Sequence, residues 1–217
     1  MRVVLLGAPG AGKGTHCKRI AQRYGVAHLS SGDILRRERA EGTELGSKAQ
    51  SYMDSGRLVP DELIVEMMTE AIARTPEAGY VLDGFPRTVN QARVLDEALA
   101  GRGQSIDVVV NLQVNDDIVV ERITGRRSCP KCGAVYHVKN MPPKNDEVCD
   151  NDETPLVQRP DDTEEVVRSR LQTYYEQTKT VVDYYKAERP VDDMDANGDA
   201  DAVADAIFRK LDPLAKK

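Results

Sequence analysis

"GAPGAGKGTHC", Gly7 to Cys17, follows directly on the apolar run of residues 2–6, and its reading decides the fold. A β-branched and leucine run ending in glycine predicts a buried strand. Residues 13–24 put Cys17, Ile20, Ala21 and Tyr24 on one helical face. Strand, glycine loop and helix in that order aim backbone N–H groups at an anion. Gly10, Ala11, Gly12, Lys13, Gly14 and Thr15 are therefore the candidate phosphate cradle. Gly7, Gly10, Gly12 and Gly14 are expected to bring the backbone close at positive φ, and Lys13 adds a charge that can follow phosphates. The common form of such a loop places a Mg²⁺-binding hydroxyl directly after the lysine. Here Gly14 stands there and the hydroxyl comes at Thr15. A metal must then rest on substrate phosphates, waters and nearby carboxylates, which suits Mg²⁺ because it dehydrates reluctantly. Asp33 and Asp83 are candidates to anchor those waters; a turn or helix cap is the plainer role for each.

Working outward, strands are expected at residues 26–30, 79–83 and 107–114 and, more weakly, at 189–196. Helices are expected at 32–41, 44–55, 61–74, 89–100 and 116–125. Such alternation predicts an α/β fold, a parallel sheet with helices on both faces. The pattern breaks at residues 126–162, which are proline-rich and hold three of the four cysteines. There Asp162, with Glu165 three residues on, reads as the capping box of a long helix running to about residue 187. The tail, "DPLAKK", is expected to fray.

A chain of 217 residues can bury one sizeable core plus an inserted subdomain. No run is long and apolar enough for a membrane span. The apolar start is short and ends in the glycine loop, so a cytoplasmic chain without a signal peptide is expected. A net charge of −6 argues against a nucleic-acid-coating protein. No interface stripe is evident, so a monomer is expected.

Two further stretches leave strands: "LSSGDILRRE" (29–38) and "LDGFPRTVNQA" (82–92). In a parallel sheet these strand ends share one edge, where ligands bind. Two cationic loops should thus face the glycine loop, more than one triphosphate needs.

Together "GAPGAGKGT", "SSGDILR", "LDGFPRT", "ERITGRR" and "QRPDD" closely resemble the adenylate kinase family, in order over nearly the whole chain. The resemblance implies a P-loop NTPase-type sheet and the reaction ATP + AMP ⇌ 2 ADP with Mg²⁺. It implies a core of residues 1–29, 60–124 and 163–217, a helical AMP-binding flap at 30–59 and a lid at 125–162. By position, Ser31, Arg36, Arg57, Leu58, Val59, Gly84, Phe85, Pro86, Arg87, Gln91, Arg159 and Arg170 correspond to the AMP site, with Gln91 reading the adenine edge. Ser31 replaces the usual threonine, keeping the hydroxyl and losing a methyl. Arg122, Arg126, Val135, Tyr136 and Ala200 join the cradle on the ATP side, Val135 and Tyr136 covering base or ribose and Ala200 offering backbone to adenine. Gly14 before Thr15 is also the family's order.

Phosphoryl transfer is mostly positioning and charge stabilisation. Lys13, Arg87, Arg122, Arg126, Arg159 and Arg170 form the candidate catalytic set, with Arg36 beside them, and guanidinium forks suit phosphate oxygens. Arg122 and Arg126 are expected on one helix face. No proton acceptor is evident, as befits a phosphate acceptor whose second pKa is about 6. His16 is expected to face solvent, His28 to be a partly buried strand residue and His137 to lie in a lid strand. Arg127 and Arg168 read as solvated.

Cys129-x₂-Cys132 and Cys149-x₂-Asp152 have zinc-ribbon spacing. The resemblance supports a structural Zn²⁺ on these four. Asp150, Glu153 and His137 are alternative fourth ligands, and a Cys129–Cys132 redox pair is the bland alternative. Cys17 reads as a plain buried thiol. Rival readings are a kinase of UMP, CMP or GMP, a switch-type NTPase, which would want a hydroxyl at position 14, and a zinc-ribbon nucleic-acid binder, which the acidic, aromatic-poor composition disfavours.

Overall fold

A computed structural model describes residues 1–75 and 78–215. Five parallel strands form the central sheet in the order β2-β3-β1-β4-β7. They are β1 (Arg2–Gly7), β2 (Ala27–Ser30), β3 (Tyr80–Asp83), β4 (Val108–Gln113) and β7 (Val191–Asp195). Successive side chains of a strand point to opposite faces, and both faces of β1 are apolar. Val4 and Leu6 join one core with Leu82, Val109, Leu95 and Tyr185. Val3 and Leu5 join the other with Val81, Val110, Ile20 and Ile207. The helices α4 (Asp61–Ala73), α5 (Val89–Ala100) and α8 (Lys179–Glu188) cover the first face; α1 (Lys13–Tyr24) and α9 (Ala200–Ala215) cover the second.

The acid-rich segment predicted weakly as a strand is edge strand β7. Its carboxylates are neutralised from the side: Lys186 meets Asp193 at 2.7 Å and Lys210 meets Asp192 at 2.6 Å. Buried Met194 supplies the apolar contact.

Two excursions leave the sheet. Helices α2 (Ser31–Ala40) and α3 (Glu44–Asp54) form one, between β2 and α4. The other follows α6 (Asp116–Thr124) as a small antiparallel pair, β5 (Arg126–Ser128) with β6 (Val135–His137). The chain returns through a short 3-10 turn at Pro160–Asp162 into α7 (Glu164–Thr173).

The structure revises several expectations. Thr163, not Asp162, caps α7: its hydroxyl accepts from the Val166 N–H, because Asp162 is turned inward against Arg126. The long helix is interrupted by a π turn at Tyr174–Thr178. Arg126 opens β5, so it does not share a helix face with Arg122. The expected frayed tail is helical to Ala215, through Pro213, with Leu211 fully buried; residues 216 and 217 of that tail lie outside the described residues.

Candidate functional site

The glycine loop connects β1 to α1 at the C-terminal edge of the sheet. Gly7, Gly10 and Gly12 have φ of 141°, 76° and 90°, a region L side chains rarely occupy. Space is also short: a Cβ on Gly10 would lie 2.9 Å from Ile123. Gly14 departs from the expectation, since its φ is not positive. Its missing side chain serves proximity instead, for a Cβ there would sit 3.3 Å from Asp83 Oδ2. Asp83 thus ends β3 directly beside the loop. Asp33 instead sits on α2, paired with Arg36.

Lys13 folds back on its own loop, donating to the carbonyls of Gly7 at 2.8 Å and Ala8 at 2.7 Å. Burial drives its pKa down to about 8. His16 is not solvent-facing: it is 4 % exposed, and burial, with Arg19 and Arg122 nearby, holds it down at about 4. Its place on the packed side of α1, next to Cys17, accounts for this.

Beside the loop, α2, α3 and the turn after β3 enclose a cleft of about 590 Å³, measured with its open mouth. Ser31, Arg36, Arg57, Leu58 and Val59 line one side, and Gly84, Arg87, Gln91 and Arg170 the other. Nine of the twelve residues expected at the second nucleotide therefore converge here. Phe85, 0 % exposed, and Pro86 lie behind the wall in the core, holding the turn rather than lining it. Arg159 also stays off the wall. Leu35, Met53 and Ile64 line the cleft as well, and sequence reading missed them; their apolar character at helical spacing was the available signal.

The polar walls are tightly braced. Ser31 Oγ donates to the Gly84 carbonyl at 2.7 Å, and Arg87 Nε donates to the same oxygen at 2.7 Å. Gln91 Oε1 accepts from the Arg87 N–H at 2.7 Å while Nε2 donates to Asp61 at 2.7 Å. Gln91 is 1 % exposed, so it buttresses the Arg87 turn as well as lining the cleft. Arg57 lies over the Tyr52 ring, 5.1 Å from its centre.

The cations run as a chain of mutual repulsion. Lys13 feels Arg87 and Arg170, Arg87 feels Arg36, Arg170 feels Arg126, and Arg159 feels Arg36 and Arg126. Burial, reinforced by these neighbours, pushes Arg159 and Arg170 down to about 10. Carboxylates offset part of the charge: Asp161 meets Arg170 at 3.0 Å, and Asp162 grips Arg126. Such a concentration of guanidinium groups is stable only with anions close by and favours a polyphosphate between them. Arg122 stands apart, reaching the carbonyls of Asn197 and Gly198 at 3.3 and 3.4 Å. Arg127 bonds backbone carbonyls, and Arg168 is an exposed partner of Glu164.

On the far side of the loop, Val135 is half-buried, whereas Tyr136 is 7 % exposed with its hydroxyl 3.5 Å from Cys149 Sγ and accepting from the Asp150 N–H. The Tyr136 side chain therefore packs in the interior of the small subdomain. Ala200 starts α9, and its carbonyl accepts from Arg19 at 3.0 Å.

In that subdomain Cys129, Cys132, Cys149 and Asp152 gather with all ligand atoms within 4.8 Å of one another. Cys132 and Cys149 sulfurs are 3.5 Å apart, and Cys129 Sγ lies 3.5 Å from Asp152 Oδ1. A tetrahedral zinc with bonds of about 2.3 Å to sulfur and 2.0 Å to oxygen sets its ligands about 3.8 Å (S···S) and 3.5 Å (S···O) apart. The donor set and spacings fit zinc, and all three cysteines are free thiols. The alternatives are otherwise engaged. Asp150 accepts from the Lys144 N–H, and His137 Nδ1 accepts from the backbone of Lys139 and Asn140. Glu153 is an exposed residue at positive φ.

Residues 5–189 match the family model described as adenylate kinase. An adenylate kinase of Clostridium perfringens is 46% identical over 212 residues, 97% of this chain and 98% of that one. Those of Archaeoglobus fulgidus and Kosmotoga olearia are 46% and 44% identical, covering 97% and 99% of this chain and 99% and 100% of theirs. The phosphate loop, the arginine-lined cleft and these relationships agree: the chain belongs to the adenylate kinase family, phosphotransferases acting between adenine nucleotides.

Proposed function

We propose that the cleft beside the phosphate loop holds AMP while the loop holds ATP, and that the arginine chain draws the two phosphate tails together for direct transfer, giving two ADP. The single observation that carries this is the convergence of Arg36, Arg57, Arg87 and Arg170 on one cleft at the same sheet edge as the loop. Two anion sites side by side serve a nucleotide-to-nucleotide transfer, and one triphosphate needs only the first.

Loop N–H groups of residues 10–15 orient the ATP phosphates, and Lys13 exchanges its carbonyl partners for them. Arg87 and Arg36 hold the AMP phosphate. Arg126, Arg159 and Arg170 bridge toward the transferring group, matching charge that spreads over its equatorial oxygens. Arg122 and Val135 border the ATP side and Ala200 the adenine. Gln91, with its free amide hydrogen and lone pair, reads the AMP base. Asp83, beside Gly14 with its lack of a hydroxyl, would hold a Mg²⁺ brought with ATP through that ion's waters, and such an ion would supply charge neutralisation for the phosphates. No base is required, and among the described residues no histidine lines the cleft. Flap 30–59 and lid 125–162 close over the core and exclude water, which would otherwise take the phosphoryl group. Zinc on Cys129, Cys132, Cys149 and Asp152 stiffens the lid and takes no chemical part.

The test is a reaction of purified protein with ATP, Mg²⁺ and each monophosphate in turn, followed by chromatography. Two ADP formed per AMP consumed, with little turnover on UMP, CMP or GMP, supports the reading. Phosphate release from ATP without AMP overturns it. Light scattering during turnover checks the monomeric state.

A further inference from the structure

A second set of metal-binding side chains lies beneath the phosphate loop, away from the lid. Cys17 on α1, His28 on β2 and Asp83 at the end of β3 bring one ligand atom each to within 4.8 Å of one another. His28 Nε2 and Asp83 Oδ2 are 3.2 Å apart, close to the ~3.3 Å separation of nitrogen and oxygen ligands on a tetrahedral zinc. Cys17 is a free thiol, 0 % exposed. The His28 and Asp83 side chains are 16 and 13 % exposed, so an ion has a path in. Three elements thus supply a sulfur, a nitrogen and an oxygen to one point.

We propose that Cys17, His28 and Asp83 form an exchangeable site for a thiophilic divalent ion such as Zn²⁺ or Co²⁺, and that its occupation inhibits the enzyme by claiming Asp83. Sulfur and imidazole select such ions over Mg²⁺, which wants oxygen donors throughout. Binding displaces the Cys17 thiol proton to solvent and draws the sulfur onto the ion. Lys13 and Arg87 lie within electrostatic reach of Asp83 and oppose a dication. The site is therefore weaker than the lid's four-ligand cluster, and a chelator empties it first. With Asp83 ligated, the carboxylate beside Gly14 no longer holds the waters of the Mg²⁺ that accompanies ATP. The Mg²⁺ part of this consequence rests on the function proposed above; the binding of the ion does not.

Equilibrium dialysis of the full chain against Zn²⁺, without nucleotide, with metal measured by mass spectrometry, separates the sites. The parent protein is expected to bind two ions, one tight and one weaker. Cys17→Ala and His28→Gln each remove only the weaker one, raising its half-occupancy concentration beyond the ~10–100-fold typical of losing a mere outer-shell partner. Cys149→Ala removes only the tight one. With Co²⁺, the charge-transfer absorption of the weak site disappears in Cys17→Ala. Zn²⁺ added after the lid is filled slows Mg²⁺-dependent turnover in the parent, and Cys17→Ala resists at least ~10-fold more while its turnover without added Zn²⁺ is unchanged. A single bound ion in the parent, or a second ion surviving in both Cys17→Ala and His28→Gln, overturns the site. Equal inhibition of parent and Cys17→Ala overturns the regulatory consequence.

Discussion

Arg126 and Asp162, 36 positions apart, are joined by two hydrogen bonds from guanidinium to carboxylate, and the Asp162 side chain is wholly shielded from solvent. Arg126 begins the first strand of the insertion, and Asp162 ends the turn that leaves it. The pair therefore fastens the two ends of the insertion to each other, while leaving the guanidinium near Arg159 and Arg170. Burial alone would lower the Arg126 pKa, but the Asp162 carboxylate outweighs it and raises the value above normal.

Breaking this pair is expected to be costly. Asp162→Asn leaves a buried cation half-partnered, a change worth about 3–5 kcal/mol in comparable sites. At about 2–4 °C per kcal/mol for a chain of this size, calorimetry should show a Tm lower by on the order of 10 °C. A Tm within a degree of the parent would show that the ends of the insertion are held by other contacts.

Arg87→Ala removes a guanidinium held by the Gly84 carbonyl over the cleft floor. Losing one preorganised donor to transition-state charge costs about 10²–10³ in kcat. Steady-state assays should show a fall of at least that size with the circular dichroism spectrum and Tm nearly intact; wild-type turnover would remove Arg87 from the mechanism.

Lys13 gives the account a pH signature. Its charged form binds phosphate, and burial places its pKa near 8 in the free protein. Above that pH the free protein loses the charge, so kcat/KM for ATP should fall. Bound phosphates favour the ammonium and raise the pKa, so kcat should hold to higher pH. Identical pH limbs for kcat and kcat/KM would contradict this assignment.

The lid cluster predicts separation of stability from chemistry. Binding energy of a structural zinc is folding energy. Cys149→Ala should lack the tightly bound zinc, and chelation long enough to strip that ion from the parent should do the same; both should lower Tm, with most low-temperature activity kept. A folded but inactive Cys149→Ala would give the metal a catalytic part.

Much of this architecture was readable in advance, for reasons that can be named. The loop and its flanking strand and helix are local, and glycine positions report backbone geometry directly. The clustering of Cys129, Cys132, Cys149 and Asp152 follows from spacing along a short chain segment. What escaped depends on partners distant in sequence. Asp162 looks like a helix cap until Arg126, reached only through the folded lid, turns it inward and leaves Thr163 to cap. The burial of Tyr136, with its hydroxyl against Cys149, is likewise set by the folded subdomain. His16 follows a polar loop, and only the packing of α1 reveals its burial. Gly14 carries no record of the Asp83 carboxylate that a Cβ there would crowd at 3.3 Å.

A structure with a bisubstrate analogue, two adenosines joined by five phosphates, bears most directly on the account. One adenosine is expected in the cleft beside Gln91, the other beyond the phosphate loop, and the phosphate chain bound by Lys13, Arg87, Arg126, Arg159 and Arg170 together. An analogue occupying only the loop, with the cleft empty and those arginines turned to solvent, would contradict it.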